Sequence, residues 1–280
     1  MSLSTNFPAD STIVIAAFGG WNDAAASATD VIDHLIEVWN GTEYFEVQRD
    51  DFYDYTYNRP EVSTNLEGIR EIEWPGTKIY KATTESLPTT QIFLVQGDEP
   101  SMRWENFSNS ILDQVGNNPS TILITLGAML AEVPHTRPVP VNGATINKEL
   151  QDLTGYTMSN YEGPTGILSV LAAQAERRGV AAASIWAALP HYVGAPPCPK
   201  ATLALIRGLE DIFNISIPVL ELVEDARAWQ TGVEELAIED EEVAEYIRSL
   251  EESQDTAELP EASGEAIARE FERYLRRREN

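Results

Sequence analysis

The chain has 280 residues, which is enough for one large domain or for one domain with an appendage. Its hydrophobic content of 43% is typical of a globular protein. Its net charge of −26 argues against nucleic-acid partners and anionic membrane surfaces, because both bind through Lys and Arg.

Cysteine and histidine usage narrows the possible sites further. Cys198 is the only cysteine, which excludes a disulfide framework and a multi-cysteine zinc site. The three histidines lack H-x-x-x-H spacing, so we predict no metal and no cofactor. Residues 1–6 show no signal-peptide pattern, and no apolar run reaches about 18 residues. We therefore expect a cytoplasmic protein with no membrane partner.

The chain opens with a predicted strand, loop and helix. Residues 12–18 form an apolar, β-branched run that indicates a buried strand. Gly19 and Gly20 end it, and Asn22 or Asp23 can cap the helix that follows. Ligands bind at the carboxyl ends of strands in open parallel sheets, so this loop is a candidate site. It lacks the G-x-G-x-x-G pattern and the P-loop lysine, so neither dinucleotide nor Walker-type ATP binding is supported.

A tyrosine-rich segment follows a probable strand at residues 43–47. In an extended chain, Tyr53, Tyr55 and Tyr57 share one face. Such a face either lines a pocket or an interface, or packs on the body as an edge strand.

The next two strands are predicted at residues 78–82 and 91–95, paired with each other. Asp98 and Glu99 follow the second strand, where two carboxylates suit acid–base work or are ordinary surface acids. A helix begins near Pro100. Its apolar stripe is predicted to be core and comprises Trp104, Phe107, Ile111, Leu112 and Val115.

Residues 121–127 form an apolar run typical of a buried strand and are followed by a proline-rich excursion. Prolines fix φ and remove amide donors, so residues 133–141 are expected to be extended and stiff. Such a loop holds His135 and Arg137 in place at little ordering cost.

Further polar residues flank the next helix and strand. Glu162 and Thr165 lie at a helix start, and His191 follows a strand predicted at residues 180–189. Lys200 lies in the first turn of another helix, where a cation opposes the helix dipole at a cost of about 0.3–1 kcal/mol. We expect a nearby carboxylate or an anionic ligand to compensate it.

The C-terminal part differs in composition. From residue 219 onward only helical patterns remain, and residues 221–280 carry 19 acidic and 7 basic residues. One apolar stripe lies in residues 243–250 and another in residues 267–275, with a polar linker at 253–264 between them. We predict an α/β domain over residues 8–218 and an acidic helical extension over residues 219–280, packed on the body or on a neighbouring subunit.

The candidate pocket or ligand-binding residues share a position at predicted strand ends or helix starts. They are Gly19, Gly20, Asn22, Asp23, Asp98, His135, Arg137, Glu162, Thr165, His191 and Lys200. No catalytic set is complete among them, and the G-x-S-x-G elbow of a hydrolase serine is missing from the sequence.

Several stretches carry a family resemblance in combination. They are residues 18–24, 54–55 with 59–60, 134–139, 163–166, 186–193, 197–202, 239–250 and 258–264. Together they resemble the PAC2 family, the proteasome assembly chaperone family, and especially its actinobacterial branch. The resemblance implies a three-layer α/β fold with a mostly parallel, phosphorylase- or hydrolase-like sheet and a helical C-terminal extension. It also implies homo-oligomers, with trimers as one possibility, and assembly-chaperone or protein-binding work in the eukaryotic members of the family, whereas it defines no role for the bacterial members.

Two functions remain open from the sequence. The leading hypothesis is a non-enzymatic, cytoplasmic protein-binding or assembly factor that acts as a homo-oligomer. The alternative is a small-molecule hydrolase or phosphorylase that acts on a nucleoside- or ester-like substrate at the rim formed by the strand ends.

Overall fold

The computed structural model describes residues 7, 10–65, 68–238 and 241–258. The strands are Thr12–Gly19 (β1), Thr42–Glu46 (β2), Glu61–Thr64 (β3), Arg70–Glu73 (β4), Thr77–Ala82 (β5), Gln91–Asp98 (β6), Thr121–Ala131 (β7), Val141–Ala144 (β8) and Ala181–Pro190 (β9). The helices are Ser27–Val38 (α1), Trp104–Val115 (α2), Lys148–Thr154 (α3), Ile167–Arg177 (α4), Pro199–Phe213 (α5), Leu222–Ile238 (α6) and Glu241–Glu258 (α7).

Seven strands form one mixed sheet in the order β2-β5-β6-β1-β7-β9-β8. The four central strands β6, β1, β7 and β9 are parallel, whereas β5 is antiparallel to β6 and β8 is antiparallel to β9. Parallel strands buried on both faces read as continuous apolar runs, which is why β1, β7 and β9 were recognisable in the sequence. The predicted mostly parallel α/β fold is confirmed.

Two apolar clusters lie on opposite faces of this sheet. Alternate side chains of β1 enter different clusters: Ile13 and Ile15 pack with α1 and α5, whereas Val14 and Phe18 pack with α2 and α4. This alternation follows from the period of two residues along a strand. The result is the expected three-layer arrangement of helix, sheet and helix.

The parallel strands bring their carboxyl ends to one edge of the sheet. Strand β6 ends at Asp98, β1 at Gly19, β7 at Ala131 and β9 at Pro190. Most of the candidate residues follow one of these four ends. This edge is called the strand-end rim below.

A two-stranded hairpin, β3–β4, lies outside the main sheet and was missed in the sequence. Val62 and Ile72 are direct cross-strand partners, and their exposed fractions are 56% and 57%. The hairpin is tethered at its base, where the Trp74 ring lies 4.9 Å from the ring of Tyr55.

The tyrosine-rich segment departs from its prediction. It is not an extended edge strand: Arg49–Asp51 forms a 3-10 turn, and further turns follow it. Tyr53 is buried because its hydroxyl bonds the Thr77 hydroxyl at 2.8 Å, whereas Tyr57 is exposed. The three tyrosines therefore do not share one face.

The C-terminal region is helical as far as it is described. Helix α6 packs against α5, and α7 packs against α6. The polar linker predicted from residue 253 is wrong at its start, because α7 continues to Glu258. The apolar stripe predicted in residues 267–275 lies outside the described residues, and the domain boundary near residue 218 stays a prediction.

The described residues contain neither a membrane-spanning helix nor a cluster of metal ligands. No helix in these parts of the chain has the length and apolar character needed to cross a membrane. Across the same residues, no group of three or more His, Cys, Asp or Glu side chains is arranged to hold a metal ion.

Candidate functional site

Asp23 binds the beginning of α1. Its Oδ1 accepts the Ala28 amide at 2.6 Å, and its Oδ2 accepts the Thr29 hydroxyl at 2.5 Å. The left-handed backbone of Ala25 and Ala26, with φ of 54° and 56°, turns the chain sharply enough for the carboxylate to reach these donors. Burial raises the pKa of Asp23, although the hydrogen bonds oppose this. Its carboxylate is therefore engaged in capping the helix.

Glu99 joins the glycine loop to the beginning of α4. Its Oε1 accepts the side-chain amide of Asn22 at 2.6 Å and the backbone amide of Ile167 at 2.9 Å. The preceding residue, Gly166, offers no side-chain cap, so the carboxylate of Glu99 supplies the missing acceptor. A Cβ on Gly166 would lie 2.0 Å from the Asn22 oxygen, so a glycine is required there.

Asp98 holds the neighbouring loops together. Its Oδ2 accepts the Gly76 amide at 3.1 Å, and its backbone carbonyl accepts the Tyr53 hydroxyl at 2.9 Å. Burial raises the pKa of this carboxyl above its usual range.

Two clefts adjoin this part of the rim, and Gly19 and Asp98 line both. The first has a volume of about 430 Å³. It is lined by the carboxylates of Asp54, Asp98 and Glu99, the rings of Trp21, Tyr57 and Trp104, and further small or uncharged residues including Gly20. Because no Lys or Arg lines it, this cleft is electrostatically unsuited to phosphate.

The second cleft, of about 570 Å³, contains two cations. Each is paired with an acid: Arg49 lies 3.5 Å from Glu46, and Lys78 lies 2.8 Å from Glu43. These pairs reduce the attraction that either cation has for an anion.

His135 and Lys200 form a second cluster at the ends of β7 and β9. His135 is 2% exposed, and its Nδ1 lies 3.0 Å from the Tyr192 hydroxyl. Lys200 donates to the His135 carbonyl and, at 2.8 Å, to the side-chain oxygen of Gln230 on α6. Burial lowers the pKa of both Lys200 and His135. The groups that compensate Lys200 are therefore neutral oxygens, with Glu234 close enough to act through its charge.

Arg137 and His191 contact α7. The Arg137 guanidinium binds both oxygens of Asp255 at 2.8 Å and Glu251 at 3.2 Å. The His191 ring lies 5.5 Å from the ring of Tyr246 on the same helix. Helix α7 thus covers this part of the rim.

The candidate residues therefore fall into three groups. Gly19, Gly20, Asn22, Asp23 and Asp98 lie together around Glu99. A second group comprises His135, Arg137, His191 and Lys200, under α6 and α7. The third group is Glu162 and Thr165, which are exposed in the loop before α4.

Sequence reasoning overlooked the partners on α7, namely Tyr246, Glu251 and Asp255. The i, i+4 spacing of the two acids was a visible signal, because it places both on one helix face. The sequence did not indicate that Arg137 lies opposite that face.

Comparison with known proteins identifies the family. The PAC2 family model matches residues 17–237, which is most of the chain. The chain belongs to the PAC2 family. This confirms the resemblance carried by the sequence motifs. Among curated proteins, none matches this PAC2 protein significantly.

Solved structures agree with this assignment. A PAC2 family protein from Streptomyces avermitilis is 45% identical, with a TM-score of 0.78 over 84% of this chain and 99% of that one. A proteasome-assembly chaperone homologue from Mycobacterium tuberculosis is 38% identical, with a TM-score of 0.75 over the same shares. The archaeal proteasome activator PbaB from Pyrococcus furiosus shares the fold alone, at 16% identity, with a TM-score of 0.64 over 81% of this chain and 94% of that one.

Proposed function

We propose that this PAC2 protein is a non-enzymatic protein-binding factor of the assembly-chaperone kind. It acts in the cytoplasm as a homo-oligomer, for which the family resemblance favours a trimer. The similarity to a mycobacterial proteasome-assembly chaperone homologue supports a role in binding other proteins.

The observation that carries the proposal is the exposed apolar surface of the β3–β4 hairpin. Val62 and Ile72 oppose each other across the two strands, and both are more than half exposed. Ile69, beside the turn, is 54% exposed. An isolated two-stranded hairpin is only marginally stable in water, so burial of these side chains against another chain stabilises it.

The bonding of the rim residues also favours binding over catalysis. Asp23 and Glu99 cap helices, and Arg137 is bound to α7. A general acid or base has to be able to reach a substrate proton, whereas these groups already serve the fold.

The test is a pull-down with the tagged full chain, compared with a matched Val62→Lys/Ile72→Glu variant. Both positions are exposed and the new side chains carry opposite charges across the two strands, so we expect the variant to fold with little loss of stability. The wild-type chain is expected to recover protein partners or further copies of itself, and the variant is expected to lose them. Equal recovery by both chains would remove the hairpin from the proposal.

The alternative function, a small-molecule hydrolase or phosphorylase, is favoured by the two clefts beside Gly19 and Asp98. It predicts thermal stabilisation by a nucleoside or an ester, and by phosphate only at the second cleft, which contains Arg49 and Lys78. A ligand at 100 times its Kd adds about 2.7 kcal/mol to the free energy of unfolding. A broad metabolite screen without a shift in Tm would dismiss this alternative.

A further inference from the structure

Helix α7 lies on a surface formed by the proline-rich loop and the end of β9. We call this the α7-binding surface and define it by Thr136, Arg137, His191 and Tyr192. The helix contacts it through three residues: Glu251 accepts from Thr136 and Arg137, Asp255 binds Arg137, and Tyr246 packs on the rings of His191 and Tyr192.

Charge explains why this helix lies on this surface. Helix α7 carries seven acidic residues and one arginine. The surface presents the guanidinium of Arg137, which binds Glu251 and Asp255 of α7. In a chain with a net charge of −26, a surface that offers a cation suits an acidic helix.

The contacts of α7 with this surface are largely polar and partly exposed. Among its described side chains, the buried apolar ones are Ile247 and Leu250, with exposed fractions of 5% and 7%. The ion pairs are partly open to solvent, since 32% of the Arg137 side chain and 52% of the Asp255 side chain are exposed. Such pairs are screened by water and salt. Exchange of this helix requires these contacts to open while the α/β core stays folded.

Removal of α7 would leave the groups of this surface without their present partners. The Arg137 guanidinium would lose Asp255 and Glu251. The rings of His191 and Tyr192 would lose Tyr246. The uncovered surface thus presents one guanidinium and two rings to an acidic helix that carries an aromatic residue.

We propose that the α7-binding surface is an exchangeable docking site, on which the α7 helix of a second copy replaces the chain's own. The occupant is identified by the contacts in this structure, because a second copy offers the same acidic face and the same Tyr246. This inference rests on the proposed homo-oligomer. It identifies one contact between its subunits, which is α7 of one copy on the α7-binding surface of another.

The test is a chemical cross-link between the α7-binding surface of one copy and the α7 helix of another. Full-length chains carrying Thr136→Cys alone and Glu251→Cys alone are mixed and treated with a short bis-maleimide. These changes leave both Arg137–Asp255 bonds in place. Cys198 is fully buried, so the wild-type chain serves as the unreactive blank. The expected product is a covalent heterodimer of about twice 31.0 kDa.

Two controls make the cross-link specific. Ser249→Cys places a thiol on an exposed part of the same helix and should give no heterodimer with Thr136→Cys. The double variant Thr136→Cys/Glu251→Cys should react within one chain, which verifies that the two positions lie close together.

A second measurement does not depend on the oligomeric state. A fluorescent peptide with the sequence of residues 241–258 is added to the full chain carrying Glu251→Gln/Asp255→Asn, in which the resident helix is weakened. We expect binding at least ~10-fold tighter than to the same chain with Arg137→Ala added, because the charge-assisted bonds are lost.

Formation of the heterodimer, or capture of the peptide by a chain that is itself oligomeric, supports the docking site, and a wild-type chain that is monomeric at every concentration overturns it together with the proposed homo-oligomer. If the chain is oligomeric but gives neither result, the docking site is overturned and the proposed function stands. If the double variant reacts only within one chain and the peptide does not bind, α7 is a fixed part of its own subunit.

Discussion

Glu99 provides the sharpest test of whether the polar residues of the strand-end rim stabilise the fold. Replacing Glu99 with Ala removes the acceptor for two donors, the Asn22 side-chain amide and the Ile167 backbone amide. Asn22 is 1% exposed and Ile167 is fully buried, and water from the cleft that Glu99 lines replaces the lost acceptor only in part, so the cost lies toward the lower end for two buried donors. The helix α4 loses its N-terminal acceptor in the same step.

The magnitude follows from these two donors. A buried donor left without a partner costs about 1–3 kcal/mol, so we expect Glu99→Ala to lower the free energy of unfolding by ~3 kcal/mol. Glu99→Gln keeps a neutral oxygen near both donors, and we expect a loss of only ~1 kcal/mol because bonds to a charged acceptor are the stronger ones.

Urea unfolding measures the effect. With a slope of ~3 kcal/mol per molar urea, Glu99→Ala should lower the midpoint by about 1 M. The matched control is Glu162→Ala, an exposed acid close to the same rim, which should change stability by less than about 0.5 kcal/mol. If Glu99→Ala unfolds at the same urea concentration as the wild type, the carboxylate is not structural and Glu99 is again available to the enzymatic alternative as an acid or base.

Three further predictions concern the same rim. Arg137→Ala should cost about 1 kcal/mol or less, because its pairs are partly exposed, and should speed hydrogen exchange across residues 241–258. Gly166→Ala should cost ~1–3 kcal/mol in a urea titration, because the new Cβ would lie 2.0 Å from the Asn22 oxygen. Burial lowers the pKa of His135 below its usual 6.5, so its stabilising effect is present above that pH and is lost as the pH falls through the folded pKa. The difference in urea midpoint between wild type and His135→Gln should therefore fall from about pH 8 to about pH 5.5, and a constant difference would contradict a buried neutral imidazole.

The sequence predicted the parts of the fold that depend on local pattern. The central strands are buried on both faces and so form continuous apolar runs, which made residues 12–18, 121–127 and 180–189 recognisable. Strand β7 continues past the predicted end at Gly127 to Ala131, because the chain stays paired with β9 over that length. Pairing between strands of distant sequence is not visible in a local pattern.

The parts that the sequence did not predict depend on distant partners. Tyr53 is buried with its hydroxyl bonded to Thr77. The alternation of Tyr53, Tyr55 and Tyr57 in the sequence therefore gave a wrong prediction that the three side chains share one face. Glu99 suited an acid–base role by its place after β6, yet Ile167, 68 residues later, makes it a helix cap. The last turns of α7 have few apolar residues, so their sequence predicts a linker. They are helical in the structure, where Asp255 binds Arg137.

The molecular mass of the full chain in solution tests the central claim most directly. Light scattering during size-exclusion chromatography should give a multiple of 31.0 kDa for the wild type, with a trimer expected from the family resemblance. The Val62→Lys/Ile72→Glu variant should give a lower mass, because charged side chains in place of apolar ones are costly to bury in an interface. A wild-type mass of 31.0 kDa at every concentration, unchanged in the variant, would contradict a protein-binding factor that assembles through its exposed hairpin.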